Sequence, residues 1–263
     1  MRKSLSLSLL ALPLVVLGVT GWMGLRVSEP TYQGRILTLW LNQYDKTWLF
    51  PTGVAHRQAQ SAIREIGTNA LPLLLQWNTA RDSLLKKRLM QIAGEQSLLR
   101  FPWHSEDDFH ALADTGFAAL GPIAAPAVPA LIRQLERSDD SVRVAALFDL
   151  MWIGPAAQDA VPIVVKCLQD TNCLIRFRAT RCLATIHCRA DLAVPALVQC
   201  LSQPGVPTRD ALIALGQFGK GAKTAVPALL SLLKDGTQVK ESEVIHALER
   251  IDPQAAMNAE RKP

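Results

Sequence analysis

The chain has 263 residues, of which 49% are hydrophobic and 19% are charged, and its formal net charge is +5. This apolar content excludes a wholly disordered chain, and the length is sufficient for a substantial core. Aromatic residues make up only 6% of the chain, and alanine and leucine dominate the apolar residues. The composition therefore favours closely packed helices over a sheet, and the mild positive charge does not indicate a nucleic-acid-binding protein.

The N-terminus carries a long hydrophobic segment. Arg2 and Lys3 precede an uncharged run of 22 residues, Ser4–Leu25, which is long enough to cross a bilayer as a helix. We therefore predict a signal anchor over residues 1–27 that makes the chain a single-pass protein of a bacterial inner membrane, with the remainder in the periplasm. The alternatives are a signal peptide that is cleaved after Gly21, so that the chain is secreted, and a buried core helix.

An internal repeat dominates the rest of the chain. Variants of the string AVPAL recur with prolines spaced 33, 33 and 32 residues apart, at Pro129, Pro162, Pro195 and Pro227. Eight residues before these prolines stand Gly121, Gly154, His187 and Gly219. Fourteen residues after the first three stand Arg143, Arg176 and Arg209. A period of this length is typical of stacked two-helix units.

The unit around Pro162 shows the expected elements. Ser141–Ile153 has apolar residues at the spacing of an amphipathic helix, with Phe148 or Asp149 at one of these positions. Gly154 then ends the helix, and Pro162 falls in the first turn of the next. Because one such hairpin buries only part of its apolar surface, neighbouring units must stack.

The period fails between Asn78 and Phe117. Asp82–Gln96 is predicted to be an extra helix, and Ser105 with Asp108 forms a capping box for the helix that leads to Leu120. We expect three further regions in addition to the anchor: an N-terminal cap segment over 28–54, a solenoid over 55–252 with an insertion at about 79–116, and a disordered tail over 253–263.

The sequence VRVAALFDLMWIGPAAQDAVPIVVKCLQD, residues 142–170, and its phased copies resemble the HEAT-repeat family over residues 57–253. The resemblance implies an all-α fold, an α-solenoid of HEAT-type helical hairpins in a right-handed superhelix, preceded by one N-terminal hydrophobic helix. The chain departs from the family where His187 and Cys188 replace a Gly-Pro pair. It also departs where Arg137 and Gln203 replace the acidic residue after the second helix, so the Asp-to-Arg ladder between units is incomplete.

A second resemblance concerns the segment after the predicted anchor. The chain is similar to exported bacterial HEAT proteins that begin with a membrane segment and a YxGxxLxxWL box. The residues of this box are Tyr32, Gly34, Leu37, Trp40 and Leu41.

Catalytic motifs are absent from the sequence, which contains no G-x-S-x-G, H-E-x-x-H or C-x-x-C. The run GQFGKGAKT, residues 216–224, has one residue too many for a phosphate loop, and Gly219 is better explained as the turn glycine of its repeat. One cluster could suggest a metal site, but acidic residues at a helix start are better explained as caps than as metal ligands. Its residues are His104, Glu106, Asp107, Asp108 and His110. We therefore predict no catalytic residue, no metal and no cofactor.

All five cysteines lie in one region of the chain. Cys167 and Cys200 occupy the same repeat position, about one helix spacing apart, which exceeds disulfide reach. Both are predicted to be small buried hydrophobic residues. Cys173, Cys182 and Cys188 are the candidates for one disulfide in an oxidising periplasm, with free thiols as the alternative.

The second helix of each unit carries a polar, partly basic stripe. In a HEAT solenoid the second helices line the concave face, and we therefore predict that a partner binds the stripe, which comprises Arg133, Arg137, Lys166, Gln199 and Lys234. A solvated helix face is the alternative interpretation. The repeated arginines, Arg143, Arg176 and Arg209, are expected to form hydrogen bonds between units.

These observations predict a non-enzymatic scaffold that binds a protein partner outside the cytoplasm. The chain is expected to be a monomer, to be attached to the membrane through its N-terminal helix and not to bind nucleic acid. One alternative is a HEAT-like enzyme, similar to bilin lyases or DNA glycosylases, although export argues against both because their substrates are cytoplasmic. The other alternative is a purely structural spacer.

Overall fold

The computed structural model describes residues 28–49, 51–83, 86, 88, 105–136, 139–202, 208–234 and 240–260. The predicted signal anchor over 1–27 lies outside the described residues, as does most of the predicted extra helix over 82–96. The described part is an α-solenoid, which confirms the fold predicted from the repeat.

The described chain begins with a small antiparallel hairpin, β1 (Thr31–Tyr32) and β2 (Arg35–Ile36), followed by helix α1 (Leu37–Lys46). Pairs of helices follow, and each pair consists of a longer helix and a shorter helix that contains a proline. The long helices are α2 (Val54–Ile66), α4 (Glu106–Leu120), α6 (Asp140–Ile153), α8 (Cys173–Ile186), α10 (Thr208–Phe218) and α12 (Glu241–Ile251). The proline helices are α3 (Leu71–Asn78), α5 (Val128–Leu135), α7 (Val161–Cys167), α9 (Ala190–Leu201), α11 (Val226–Lys234) and α13 (Pro253–Glu260).

The YxGxxLxxWL box forms the hairpin and the start of α1. Gln33 and Gly34 both have positive φ, 49° and 73°, as in the two-residue turns that join twisted strands. The indole Nε1 of Trp40 donates a hydrogen bond to the Tyr32 carbonyl at 3.2 Å, and Trp40 is buried. Helix α1 packs against α2 and α4 and thereby covers the first end of the solenoid core.

Glycine turns connect most long helices to their proline helices. Gly67, Gly121 and Gly154 have φ of 60°, 55° and 65° with ψ of −136°, −129° and −139°, a region that a residue with a Cβ avoids. His187 instead takes the left-handed helical conformation, with φ 34° and ψ 32°. Arg189 follows at φ 53°, and the 3-10 segment that follows each of those glycines does not form in this turn.

The two rows of helices are spaced differently. From α2 to α12, each long helix packs directly against the next long helix. Consecutive proline helices in the described part lie farther apart, and α7 and α9 are the closest pair. Because the more closely packed row of a bent stack lies on the inside of the bend, we take the row of long helices as the concave face and the row of proline helices as the convex face.

Repeated arginines tie neighbouring units together, as predicted. The Arg143 side chain of α6 donates from Nε to the Leu135 carbonyl at the end of α5 at 3.2 Å and forms an ion pair with Asp170. Arg176 of α8 donates to the carbonyls of Asp170 at 2.8 Å and Thr171 at 3.0 Å. Arginine therefore satisfies carbonyls that have no partner within their own helix.

The irregular region differs from the prediction in one respect. The period was expected to fail as far as residue 116, yet α4 (Glu106–Leu120) occupies the place of a long helix and buries Leu112, Phe117 and Leu120. This happens because packing requires apolar side chains at helical spacing rather than repeated residue identities. The capping box of Ser105 and Asp108 that begins α4 is confirmed.

The predicted disordered tail is also wrong for residues 253–260, which form α13. The Asp252 side chain accepts hydrogen bonds from the backbone N–H groups of Gln254 and Ala255, and Pro253 begins the helix. Asp252-Pro253 is therefore a helix start rather than a helix stop. Ala256 is buried, and α13 packs against α12.

Replacing His187 by glycine is expected to raise the free energy of unfolding by about 0.5–1 kcal/mol. The left-handed conformation costs a residue with a Cβ roughly 1 kcal/mol or more, and the freedom of glycine in the unfolded chain offsets part of the gain. Urea denaturation followed by circular dichroism measures the change. His246→Gly is the matched control in the middle of α12 and is expected to lower the same quantity by about 0.5–1 kcal/mol. A loss of stability in both variants would contradict the role of the turn.

Replacing Arg143 by alanine is expected to lower the free energy of unfolding by about 2–3 kcal/mol. The substitution leaves the Leu135 carbonyl and the Asp170 carboxylate without their donor in a part-buried setting. The control is Arg209→Ala, because Arg209 occupies the same repeat position, is 73% exposed and pairs with Glu243 at 3.2 Å. Arg209→Ala should lower the free energy of unfolding by about 0.5 kcal/mol or less. Equal losses of stability in the two variants would contradict this account.

Candidate functional site

The binding stripe predicted from the sequence lies on the proline helices. Arg133, Lys166, Gln199 and Lys234 are all exposed, and Arg137 lies outside the described residues. The closer packing of the long helices places these positions on the convex side of the solenoid. That a partner binds this stripe stays a prediction.

A recessed pocket lies on the concave face at the N-terminal end of the solenoid. Its cavity volume is about 180 Å³. Helix α1 and the turn after it form one wall, and α4 and α6 form the others. We call it the aromatic pocket, and its principal lining residues are Tyr44, Asp45, Trp48, Asp114, Phe148 and Trp152.

Aromatic rings in the pocket meet edge to face. The ring centroids of Trp48 and Trp152 are 6.0 Å apart at 79°, and those of Phe148 and Trp152 are 5.7 Å apart at 83°. The Tyr44 and Trp48 rings are 5.9 Å apart at 65°. These separations and angles are favourable for aromatic pairs. Trp48 is nevertheless 49% exposed, so part of this side chain is accessible to solvent at the aromatic pocket.

Behind the rings lies a pair of carboxyl groups. Asp149 of α6 is fully buried and accepts a hydrogen bond from Asn78 of α3, which is also fully buried. Asp114 of α4 lies beside Asp149, and burial raises the pKa of Asp114 to about 7 against the opposing pull of Arg178. Burial, and then the charge of Asp114, raise the pKa of Asp149 well above its ordinary value. The pair therefore holds at least one proton near neutral pH, because two adjacent buried carboxyls do not both ionise.

Arg178 of α8 completes the polar cluster. Its guanidinium carbon lies 4.6 Å from the centroid of the Phe148 ring, a distance favourable for a cation–π interaction. Its Nε is buried and has no hydrogen-bond partner. Burial, followed by the charge of Arg181, lowers the pKa of Arg178. The guanidinium thus stands between the aromatic pocket and the next unit.

A second recess lies farther along the concave face, between α10 and α12. Its cavity volume is about 350 Å³, and Ile213 and His246 are among the residues that line it. Arg250 crosses its floor, donating to the Gly216 carbonyl and to the Gln217 side chain, each at 3.1 Å. The concave face therefore carries recesses near both of its ends.

The acidic cluster at the start of α4 acts in capping, as predicted. Asp108 accepts a hydrogen bond from the Ser105 backbone N–H at 2.7 Å, and Glu106 accepts one from the Asp82 backbone N–H at 2.9 Å. His104 lies outside the described residues. Within the described ranges, no three potential metal ligands converge. The run 216–224 spans the end of α10 and a 3-10 turn, where Gly219 has a φ of 52°, as its place in the repeat predicts.

The five cysteines are free thiols in the structure. Cys167 and Cys200 are buried, as predicted. Burial raises the pKa of the Cys182 thiol. Cys173 and Cys188 lie at opposite ends of the 14-residue helix α8, about 20 Å apart at a rise of 1.5 Å per residue. That pair is therefore out of disulfide reach in this fold.

Sequence reasoning missed the aromatic pocket. One signal was present, because Asp149 shares the apolar spacing of α6 and a charged residue at such a position indicates a buried polar contact. The partners of Asp149 gave no comparable signal: Asn78 precedes it by 71 residues, and Trp48 comes from the cap.

Comparisons with known proteins agree with the architecture. A family model for HEAT repeats matches residues 128–216, and no curated protein matches the chain. A mutant of Kap121p is similar at a TM-score of 0.51 and 16% identity, over 85% of this chain and 26% of that one. At that identity the likeness concerns the fold alone, and the chain spans about a quarter of the length of Kap121p.

Two further solved structures are similar over 85% of this chain. One is an engineered protein with a TM-score of 0.49 and 20% identity, covered over 97% of its length. The other is a designed armadillo repeat protein in complex with the peptide (KR)4, with a TM-score of 0.44 and 18% identity, covered over 98% of its length.

The free energy of unfolding is expected to depend on pH through the carboxyl pair. The pKa values of Asp114 and Asp149 are raised in the folded chain, so the folded state binds more protons than the unfolded state from about pH 4 upwards. The resulting stabilisation is complete below about pH 4 and is lost as the pH rises through about 7. The carboxyl pair is therefore expected to make the wild-type protein more stable at pH 5 than at pH 8.

Asp149→Asn tests this origin. Asparagine retains an acceptor for Asn78 and a donor for Asp114 but does not ionise, so the variant should gain about 1–3 kcal/mol at pH 8 and show a flatter pH dependence. Urea denaturation at a series of pH values measures both. Asp45→Asn, at the exposed rim of the aromatic pocket, should leave the slope unchanged. If Asp149→Asn retains the wild-type pH dependence of the free energy of unfolding, that dependence arises from other groups.

Proposed function

We propose that the chain, an α-solenoid whose residues 128–216 match a family model for HEAT repeats, is a non-enzymatic scaffold that binds a partner protein along its concave face, outside the cytoplasm. The observation that carries the proposal is the continuous row of long helices, with a recess near each end of it. Solenoids commonly use such extended concave surfaces for binding.

Exposed apolar side chains on this face support a binding role. Trp48 at the aromatic pocket is 49% exposed, and Ile213 at the second recess is 50% exposed. Aromatic and large aliphatic side chains at a recess are the groups that anchor protein interfaces. The exposed stripe of Arg133, Lys166, Gln199 and Lys234, with Arg137, is the second candidate surface, on the convex side.

Attachment to the membrane is assigned in this proposal to residues 1–27. The described residues contain one run that is long and apolar enough to cross a membrane, Glu106–Leu135, with a mean hydropathy of 1.6. Half of the apolar stretch of this run is buried in the solenoid, and the chain turns at Gly121 between α4 and α5. That run is a hairpin of the core, so membrane attachment in this proposal rests on the hydrophobic residues of the N-terminal segment alone.

Crosslinking in intact cells, followed by purification from the membrane fraction, tests the proposal. The concave variant is Trp48→Ala with Ile213→Ala, and the matched convex variant is Arg133→Glu with Lys166→Glu. All four side chains are substantially exposed, so both variants should fold, which thermal denaturation verifies. A protein captured by wild type should be captured about tenfold less by the concave variant, because interface anchors contribute more than 1 kcal/mol each.

The convex variant is expected to capture that protein as wild type does. Loss of capture with the convex variant alone would move the binding surface to the stripe. Equal capture by all three forms, or no captured protein, would contradict the scaffold function.

A further inference from the structure

Resting on the proposed scaffold function, we propose that the aromatic pocket binds a single arginine side chain of the partner protein. The pocket lies at the N-terminal end of the concave face, where α1 meets α4 and α6. Its rings and carboxyl groups are placed to recognise a flat cation. This inference assigns a ligand chemistry to one site on the binding face.

Charge complementarity indicates a cation. Asp45 and Asp114 contribute carboxyl groups to the wall, and none of the described residues that line the pocket is lysine or arginine. This is a local acidic site on a chain whose formal net charge is +5. Burial raises the pKa values of both carboxyls of the buried pair, and the charge of Arg178 from α8 acts on Asp114 in the opposite direction. The carboxylate at the rim, Asp45, is exposed and remains available to an incoming cation.

The rings add a second attraction for a cation. Trp48 and Trp152 stand at 79° to one another, so that they form two walls of a corner, and Phe148 and Tyr44 extend it. A guanidinium that enters this corner meets ring faces and edges, and tryptophan is the side chain with the strongest cation–π attraction. Each such contact is stronger in a partly desolvated recess than on an open surface.

The size of the cavity indicates one side chain. Its volume of about 180 Å³ is smaller than the roughly 300–1,000 Å³ of sites that hold whole small molecules. A cofactor or drug-sized ligand therefore does not fit, whereas the head of one side chain does.

Arginine is favoured over lysine by shape. A guanidinium is planar, stacks on aromatic rings and donates two parallel hydrogen bonds to a carboxylate, whereas an ammonium is a compact and strongly hydrated point charge. The protein already uses this contact internally, because the Arg178 guanidinium lies 4.6 Å from the Phe148 centroid and the Arg35 guanidinium lies 3.9 Å from a Trp40 ring centroid.

Titration of the full-length chain in detergent tests the inference with three acetylated and amidated pentapeptides. Their sequence is Ala-Ala-X-Ala-Ala, with arginine, lysine or citrulline at X. Citrulline has nearly the shape of arginine but no charge. Nuclear magnetic resonance of the tryptophan indole N–H groups reports on Trp48 and Trp152 directly. We expect the arginine peptide to shift both resonances and to bind about tenfold more tightly than the citrulline peptide.

Variants locate the site. Trp48→Ala should weaken binding of the arginine peptide about tenfold, and Asp114→Asn about fivefold. Leu49→Ala is the control, because Leu49 is the neighbour of Trp48 and is 82% exposed, and it should bind as wild type does. Circular dichroism and thermal denaturation verify the fold of each variant, and Asp45→Asn supplies a second acidic variant at the exposed rim should Asp114→Asn fail to fold.

Three outcomes would overturn the proposal. Equal binding of the arginine and citrulline peptides would show that charge is not recognised. Equal binding of the arginine and lysine peptides would show that the site does not select a guanidinium. No shift of the Trp48 and Trp152 indoles with any peptide would remove the aromatic pocket as a side-chain site, while capture of a partner that depends on Ile213 would leave the scaffold function standing.

Discussion

At the end of most long helices the backbone turns through a glycine whose φ is near 60° and whose ψ is near −135°, a conformation that other residues adopt only with strain. This turn sends the chain from the long helix into the proline helix in one direction in each unit, so all the long helices fall in one row. The row exists, and packs tightly, because the same change of direction recurs. Where His187 replaces the glycine, two left-handed residues achieve the reversal, which shows that the constraint lies on the direction of the chain.

Close packing of the long helices has a consequence for polar groups. Helices of one row that touch along their lengths bury residues on their flanks, and Asp149 is fully buried in this way among Asn78, Asp114 and Arg178. Burial of a carboxyl group is costly unless it is neutral or hydrogen-bonded. The pair lies directly behind Phe148 and Trp152, where the aromatic pocket opens.

Sequence reasoning was strongest where the physics is local. The capping box of Ser105 and Asp108, the turn at Gly154 and the hydrogen bonds of Arg143 all follow from residues within one period or one turn. It failed where the outcome depends on three-dimensional spacing. The aromatic pocket was missed because Trp48 and Trp152 are 104 residues apart in the chain, and no periodic pattern relates a cap to a repeat.

The contact between Trp48 and Trp152 links the capping segment to a unit that is not its neighbour in the chain. The cap forms one side of the aromatic pocket, and α6 forms the other. By thermodynamic linkage, a ligand that contacts both sides stabilises the packing of the cap on α6. Release of the cap weakens ligand binding by the same free energy. A ligand bound in the aromatic pocket would therefore also stabilise the cap over the first end of the solenoid core. Displacement of the cap from α6 would in turn open the aromatic pocket.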